Sequence, residues 1–486
     1  MYIGSQKLMQ KYDQYLLEHG YSIMELVDKA SDCIIKHLYG QAIAFLCGPG
    51  NNGADGLSAA IKMHEKGSKV FVFVFSKEKI SKANQYYLDQ CLLNHLDVTL
   101  ISKENIDESI GIMKNCDEIV DAMFGFGLNS SPRGLYKEVI EQVNLLCHPC
   151  VKAIDIPTGL DCNTGQPYPS VIIATQTISL TCMKQGYLYP DSRYFTGDIV
   201  VEILDVEDVF EEVGLYRWVD EEMIASLLKE RRFDGHKGNY GRVGLITGCD
   251  EYRGASLLST KSCVYSGSGV VTTLTVPAVQ DALSVFCPEA TTLNRTIYGV
   301  NDRKYDALLV GSGMGLSANS EEIFNDVMKS LSCPIVIDGD GLTFLSKKLE
   351  LLDYHVQDIV LTPHMGEFER LCAIDDDIMM QASAFAKKHH ITLVLKGPHT
   401  IITNGDVNYR NSSGNPAMSV GGMGDVLAGM ITSFLGQGYS SIESALLAVY
   451  IHGSIADKLA TCAYTVLPSR VIEDIPSKMK ELMKKK

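Results

Sequence analysis

The chain has 486 residues, more than one hydrophobic core usually encloses, so two domains are expected. Its apolar fraction of 46% is that of a globular protein, and its formal charge of −16 disfavours a nucleic-acid backbone or an anionic membrane as partner. An anionic ligand must then be held locally.

The amino terminus lacks a basic-then-apolar leader, and no apolar run reaches bilayer-spanning length, which predicts a cytoplasmic protein. The fourteen cysteines are scattered, many in apolar segments as at Cys47, Cys263 and Cys372, and read as reduced core thiols. Cys147 and Cys150 form a Cys-x-x-Cys, but with no second pair to complete a zinc site it reads as incidental. The basic run 479–486 reads as a solvated helix end.

In the first half, short apolar runs alternate with helix-periodic segments, the pattern of a layered α/β fold with a largely parallel sheet. Strands are expected at 42–47, 70–75, 98–101, 118–121, 151–156 and 175–180, and helices at 54–65 and 135–146. A strand-like run at 197–204 leads into the acidic segment 204–213, so domains 1–215 and 221–486 are expected. No internal repeat or low-complexity tract is present.

After the first strand comes Gly48-Pro49-Gly50-Asn51-Asn52-Gly53-Ala54-Asp55-Gly56. It is neither the dinucleotide G-x-G-x-x-G pattern nor a Walker A loop, yet it is a strand, glycine loop and helix start with two amide side chains, either a phosphate cradle or a tight turn. Asp121 ends the fourth strand and precedes Phe124-Gly125-Phe126-Gly127-Leu128. Asp155 precedes Ile156-Pro157-Thr158-Gly159-Leu160-Asp161. Ligands of open α/β sheets sit beyond the carboxyl ends of the strands, so these loops are expected to share one crevice.

In the second half, strands are expected at 243–247, 270–275, 307–310, 334–337, 359–362 and 392–395, and helices at 255–265, 321–331, 425–435 and 441–459. Almost every strand runs into a Gly-flanked polar loop. These loops carry His236-Lys237-Gly238-Asn239-Tyr240-Gly241, Tyr252-Arg253-Gly254-Ala255, Gly311-Ser312-Gly313-Met314-Gly315, Asp338-Gly339-Asp340-Gly341-Leu342, Thr362-Pro363-His364-Met365-Gly366-Glu367 and Lys396-Gly397-Pro398-His399-Thr400. Then comes Val420-Gly421-Gly422-Met423-Gly424-Asp425 at a helix start, where unpaired N–H groups and the helix dipole favour an anion. From the residues alone, Asp425 is either a base for a substrate hydroxyl or an N-cap.

GPGNNGADG, DAMFGFGL and DIPTGLD together resemble the YjeF N-terminal family of NAD(P)H-hydrate epimerases across most of residues 1–205. The resemblance implies a Rossmann-like three-layer sandwich. Asn51, Asn52, Gly53, Ala54, Asp55, Gly125, Phe126, Gly127, Leu128 and Asp155 would contact the hydrated dinucleotide, and Asn52, Asp121 and Thr158 would surround potassium. Asp155 would be the acid/base that lets a ring hydroxyl leave and return. Ala54 replaces the family's usual Gly, adding a methyl group expected to weaken binding, and Thr158 replaces Ser but keeps the hydroxyl.

VIDGDGL, TPHMGEFERL, LVLKGPHTII and GGMGDVLAG are similar to the ribokinase-like family of ATP- or ADP-dependent NAD(P)H-hydrate dehydratases, over about residues 225–480. Here Asp338-Gly339-Asp340 stands for the usual Asp-Ala-Asp. By that resemblance Ala255, Gly313, His364 and Asp425 bind the hydrate, with Asp425 as the base. Lys396, Gly397, Pro398, His399, Thr400 and Gly424 would bind ADP or ATP, with Mg2+ organised by Asp338, Asp340 and Glu367. The implied protein repairs hydrated NADH and NADPH and is expected to be a homo-oligomer. A small-molecule kinase of ribokinase type, or an inactive nucleotide-binding regulator, would share part of this pattern.

Overall fold

In the computed structural model, which describes residues 1–76, 80–206, 208–296, 304–330, 332–354, 358–374 and 377–485, the chain divides into two units, Met1–Leu215 and Tyr216–Lys486. The first opens with β1 (Tyr2–Gly4), α1 (Gln6–Glu18) and α2 (Ile23–Ile34). Ser5 caps α1 by accepting from the Leu8 amide, and Ser22 and Glu25 form a reciprocal capping box on α2. Neither helix is among the elements expected from the sequence.

A seven-stranded sheet follows: β2 (Ala42–Cys47), β3 (Lys69–Val74), β4 (Asp97–Leu100), β5 (Glu118–Ala122), β6 (Val151–Ile154), β7 (Gln176–Leu180) and, after the short β8 (Met183–Lys184), β9 (Asp198–Glu202). All its pairings are parallel, in the order β4-β3-β2-β5-β6-β7-β9, while β1 pairs with β8 outside it. Alternation along β2 sets the layers. Ile43, Phe45 and Cys47 enter one core with α2, α3 (Asn51–Glu65) and α4 (Lys82–Leu93). Ala44 and Leu46 enter a second core with α5 (Ile106–Lys114) and α6 (Leu135–Leu145). A strand apolar on both faces belongs in a parallel sheet covered by helices on each side.

Helix α3 begins at Asn51, three residues before the expected 54, because the Asn-Asn-Gly loop is itself its first turn. The buried Asn84 amide donates to the Gly48 and Gly50 carbonyls and holds that turn against α4. A Cβ at Gly53 would lie 1.9 Å from the Gly48 carbonyl oxygen, so only glycine fits beneath the loop.

The second unit holds β10 (Tyr216–Val219), β11 (Arg242–Ile246), β12 (Val270–Thr275), β13 (Thr291–Asn294), β14 (Ala307–Val310), β15 (Ile335–Ile337), β16 (Ile359–Leu361), β17 (Thr392–Leu395), β18 (Ile401–Thr403) and β19 (Asn408–Asn411). Their order within this unit is β13-β12-β11-β14-β15-β16-β17-β18-β19-β10. Pairing is parallel except at the β17-β18-β19 meander, which the sequence pattern did not reveal. The helix expected at 321–331 runs from Ala318 to Ser330, Leu331 lying outside the described residues together with Glu207 of the acidic segment and Lys486 of the basic tail.

Helices α7 (Arg253–Tyr265), α8 (Met365–Leu371) and α9 (Met423–Gly436) carry the loops that matter here. Helix α9 is buried along nearly its whole length and lies closely against α7. At their crossing, a Cβ on Gly429 would lie 2.2 Å from Ser262 Oγ and 2.3 Å from the Ser259 carbonyl oxygen. Gly429→Ala is therefore expected to destabilise the protein by about 1–3 kcal/mol through overpacking, despite alanine's better helix propensity. Urea unfolding of the two proteins checks it.

Candidate active sites

The strand order of the first unit reverses between β2 and β5, and the loops after them border a cavity of about 530 Å³. Asn51, Asn52, Asp55, Gly125, Phe126, Gly127, Leu128 and Asp155 line it, with an apolar wall from α1 and α2 that includes Met9, Leu16 and Val27. Gly53 and Ala54 do not line it. Ala54 is fully buried and its methyl packs with Val27 and Ala83, so the expected crowding of a ligand by that methyl is corrected.

Asp155 has φ 67°, a left-handed conformation that Asp tolerates better than most residues. Its amide donates to the Ile178 carbonyl at 2.8 Å and its own carbonyl accepts from the Tyr187 hydroxyl. Its Oδ1 lies 2.5 Å from the fully buried Lys184 Nζ, and its Oδ2 accepts from the Phe126 amide at 3.3 Å. Burial works against the Lys184 charge, but Asp155 keeps its ammonium above the usual range. The Leu180 carbonyl accepts a further bond from Lys184.

Two more carboxyls open onto the same cavity. Asp13, on α1, is an exposed residue, yet partial desolvation where it opens onto the cavity and the Asp155 charge push its carboxyl up to about 7, against the opposing pull of Lys184. Burial, then Asp155 and Asp13, push Asp55 well above the usual carboxylate range. Asp13, Lys184 and Tyr187 escaped the sequence reading. The available signal was a lone lysine just past a buried strand, at Cys182-Met183-Lys184.

Asp121 and Thr158 are fully buried and bonded together. Asp121 accepts from the Thr158 amide at 2.7 Å and hydroxyl at 2.8 Å and from the Met123 amide at 3.1 Å. Burial still pushes its carboxyl up to about 6 against those bonds. The Thr158 hydroxyl also accepts from the Phe124 amide, with the Phe124 carbonyl 3.3 Å away. Both polar atoms of the Asn52 side chain are buried and unpartnered.

In the second unit the strand order reverses between β11 and β14. Asp425 is the third residue of α9, whose N-cap is Gly422 at φ 98°, so the N-cap alternative for Asp425 is excluded. Burial first, then the Asp338 and Asp340 charges, push Asp425 up to about 7, with Lys396 opposing. Lys396 Nζ lies 2.9 Å from Asp338 Oδ1 and would be 3.3 Å from a Cβ at Gly424, so its ammonium stands over the first turn of α9. Gly313, at φ 59°, meets Ala255: a Cβ there would lie 2.7 Å from the Ala255 methyl.

His364 caps α8, accepting the Glu367 amide at Nδ1, while Glu367 accepts the His364 amide. A parallel bridge joins His364 to Lys396. Gly397 and Pro398 are exposed, whereas Thr400 is buried and bonded back to the Gly397 carbonyl, and the His399 ring lies 5.6 Å from Trp218. The side chains of His399 and Thr400 are thus turned into protein contacts.

The carboxylates expected to organise magnesium are engaged elsewhere. Asp338 accepts from Ser312, Thr362 and Lys396, Asp340 from the Gly315 amide, and Glu367 caps α8. Among the described residues no group of three or more His, Cys, Asp or Glu is placed to hold a metal ion.

Two family models match the chain: a YjeF-related protein N-terminus over residues 13–186 and an NAD(P)H-hydrate dehydratase over residues 243–477. The bifunctional NAD(P)H-hydrate repair enzyme of Thermofilum pendens is 31% identical over 434 residues, covering 85% of this chain and 82% of that protein. The chain belongs to the bifunctional NAD(P)H-hydrate repair enzymes. The second unit is also similar to the ADP-dependent (S)-NAD(P)H-hydrate dehydratase of Staphylococcus aureus, 36% identical over 52% of this chain and 94% of that one. A solved ADP/ATP-dependent NAD(P)H-hydrate dehydratase from Bacillus subtilis, co-crystallised with ATP/Mg2+, matches with a TM-score of 0.50 and 28% identity over 54% of this chain and 97% of that one.

Removing one member of a buried ion pair leaves the other charge uncompensated. Lys184→Met is therefore expected to destabilise the protein by about 3–5 kcal/mol, and Lys184→Met combined with Asp155→Leu by less than Lys184→Met alone. Denaturant unfolding of the three variants measures this, and equal losses in single and double variants would contradict it.

Proposed function

We propose that the chain repairs hydrated NADH and NADPH, the first unit interconverting the R and S hydrates and the second dehydrating the S form with ADP or ATP. The observation that carries this is Asp425 at the third position of α9, under the Lys396 ammonium and in a first turn without a side-chain cap, in a chain whose other unit has a carboxyl-lined cavity. A helix start with a lysine above it binds phosphate, and a carboxylate poised near neutrality there is suited to accept a hydroxyl proton.

In the second unit Asp425 takes the proton of the C6 hydroxyl while that oxygen attacks the terminal phosphorus of the nucleotide, whose phosphoanhydride bond breaks to release AMP from ADP or ADP from ATP. Lys396 and the first-turn amides at Gly424 meet the charge that develops on the transferred group. Hydroxide leaves a ring poorly, whereas the phosphate ester leaves readily under the push of N1. Loss of the C5 proton then restores the dihydronicotinamide. Ala255, Gly313 and His364 would line the hydrate site, and the loop of Lys396, Gly397, Pro398, His399 and Thr400 would hold the nucleotide, chiefly through its backbone. The engaged carboxylates do not form a magnesium cage, so magnesium would enter with the nucleotide phosphates rather than on a protein site.

In the first unit Asp155 serves as acid/base at C6, and the loops carrying Asn51, Asn52, Asp55 and Gly125 to Leu128 hold the dinucleotide. Asn52, Asp121 and Thr158, with the Phe124 carbonyl, fit potassium: their oxygens are hard donors, and the unpartnered buried amide of Asn52 lacks a protein ligand. A bound cation supplies positive charge beside an anionic dinucleotide.

Asp425→Asn keeps the shape of the acid but cannot accept a proton, so dehydration is expected to fall about 10²–10⁴-fold. The wild-type kcat/KM for dehydration should rise with pH through a midpoint near 7 as Asp425 ionises, and the residual rate of the variant should lack that rise. A variant with near-wild-type dehydration would remove Asp425 from the chemistry. Asp155→Asn, given both epimers with nucleotide, is expected to consume S quickly and then stall with R left over. Chromatographic separation of the remaining hydrates reads this, and consumption of both at the wild-type rate would overturn the role of Asp155.

A further inference from the structure

Inverting C6 by departure and return of a hydroxyl moves two protons: one to the oxygen that leaves and one from the water that returns on the other face of the ring. A carboxyl fixed on a rigid turn addresses one face. Asp155 is fixed in this way, with Oδ1 on Lys184, Oδ2 on the Phe126 amide and its backbone held by Ile178 and Tyr187. Asp13 reaches the same cavity from a separate element, α1, and is an exposed residue, unlike the buried and clamped Asp155. Its proton is free to move. We propose that Asp13 is the second catalytic acid–base of the epimerase, working on one face of the hydrate ring while Asp155 works on the other. This rests on the reading of the first unit as a hydrate epimerase.

The step balances without a further reagent. The Asp13 carboxyl gives its proton to the C6 oxygen as the C6–O bond breaks, and the bonding pair leaves with the oxygen as water. The N1 lone pair forms the C6=N1 iminium. A water on the opposite face then donates a lone pair to C6, the π pair returns to N1, and the Asp155 carboxylate accepts the proton of that water. Exchange with solvent returns one proton to the Asp13–Asp155 pair in its starting arrangement, and the reverse reaction uses the two residues in exchanged roles.

The charged surroundings agree. Asp13 faces Asp55 from α3, Asp155 after β6 and Lys184 on β8, with Tyr12 beside it on α1 and Cys182 and Asp208 near Tyr12. Asp13 at about 7 can gain and lose a proton near neutrality, and burial with the Asp155 and Asp13 charges raises Asp55 well above the usual carboxylate range, which favours its protonated form as a donor to the substrate.

The test uses the full chain and the purified R hydrate of NADH without adenine nucleotide, so that S accumulates and is read by reversed-phase separation. Wild type is expected to lose activity above a limb near pH 7, as Asp13 gives up its proton. Asp13→Asn should lower kcat about a hundredfold or more with KM within about threefold, and its residual rate should lack the limb. Asp13→Glu, which keeps the acid, should recover part of the loss. Asp55→Asn should raise KM more than it lowers kcat.

Wild-type kcat and pH profile in Asp13→Asn, or a loss confined to KM, would overturn the role of Asp13 alone. So would an Asp13→Glu variant no better than Asp13→Asn. If Asp13→Asn does not fold, an Asp13→Glu protein with a displaced alkaline limb supports the role and one with an unmoved limb overturns it. A wild-type chain that leaves the R hydrate unchanged would instead overturn the reading of the whole unit.

Discussion

Each site is organised around one lysine ammonium set against a carboxylate that follows a parallel strand. In the first unit it is Lys184 on Asp155 at 2.5 Å, and in the second Lys396 on Asp338 at 2.9 Å. Both lysines keep their charge despite burial because the carboxylate is there. The partner is used differently in the two units. On the proposed reading Asp155 would itself be the reacting group, whereas Asp338 anchors Lys396 over α9 and Asp425 would be left to react.

Elements whose signal is local were legible in the sequence. The strands bordering both crevices alternate or run apolar, and the glycine-rich loops mark places where backbone must turn or approach closely. Elements that depend on distant contacts were not. The ion pair of Lys184 joins positions 29 residues apart, and Asp13 meets Asp155 across most of the unit. Helices α1 and α2, started by the Ser5 and Ser22 caps, make a cavity wall far in sequence from the loops they face. Ala54 was misread for a related reason: its place in a phosphate-type loop suggested a ligand contact, but the third and fourth residues of a helix starting at Asn51 turn toward the core. In the second unit, Glu367 and Asp340 have the chemistry of metal ligands, but Glu367 has the geometry of a cap and Asp340 is bonded to the Gly315 amide. Only the structure separates the two.

The fusion of the units follows from the substrate. Addition of water to a flat ring carbon produces both configurations, and a site that closes on one rejects the other. In the second unit Gly313 lies so close to Ala255 that no side chain fits between them. The first offers an apolar cavity with several exchangeable carboxyls, suited to letting a hydroxyl leave and return.

The most direct measurement incubates the purified full chain with an equal mixture of R and S NADH hydrates, magnesium, potassium and either ADP or ATP, and follows the absorbance of reduced nicotinamide. Recovery of the entire mixture as NADH with at least one nucleotide is the predicted result. Recovery of only half would contradict the epimerase assignment, and no recovery with either nucleotide would contradict the account as a whole.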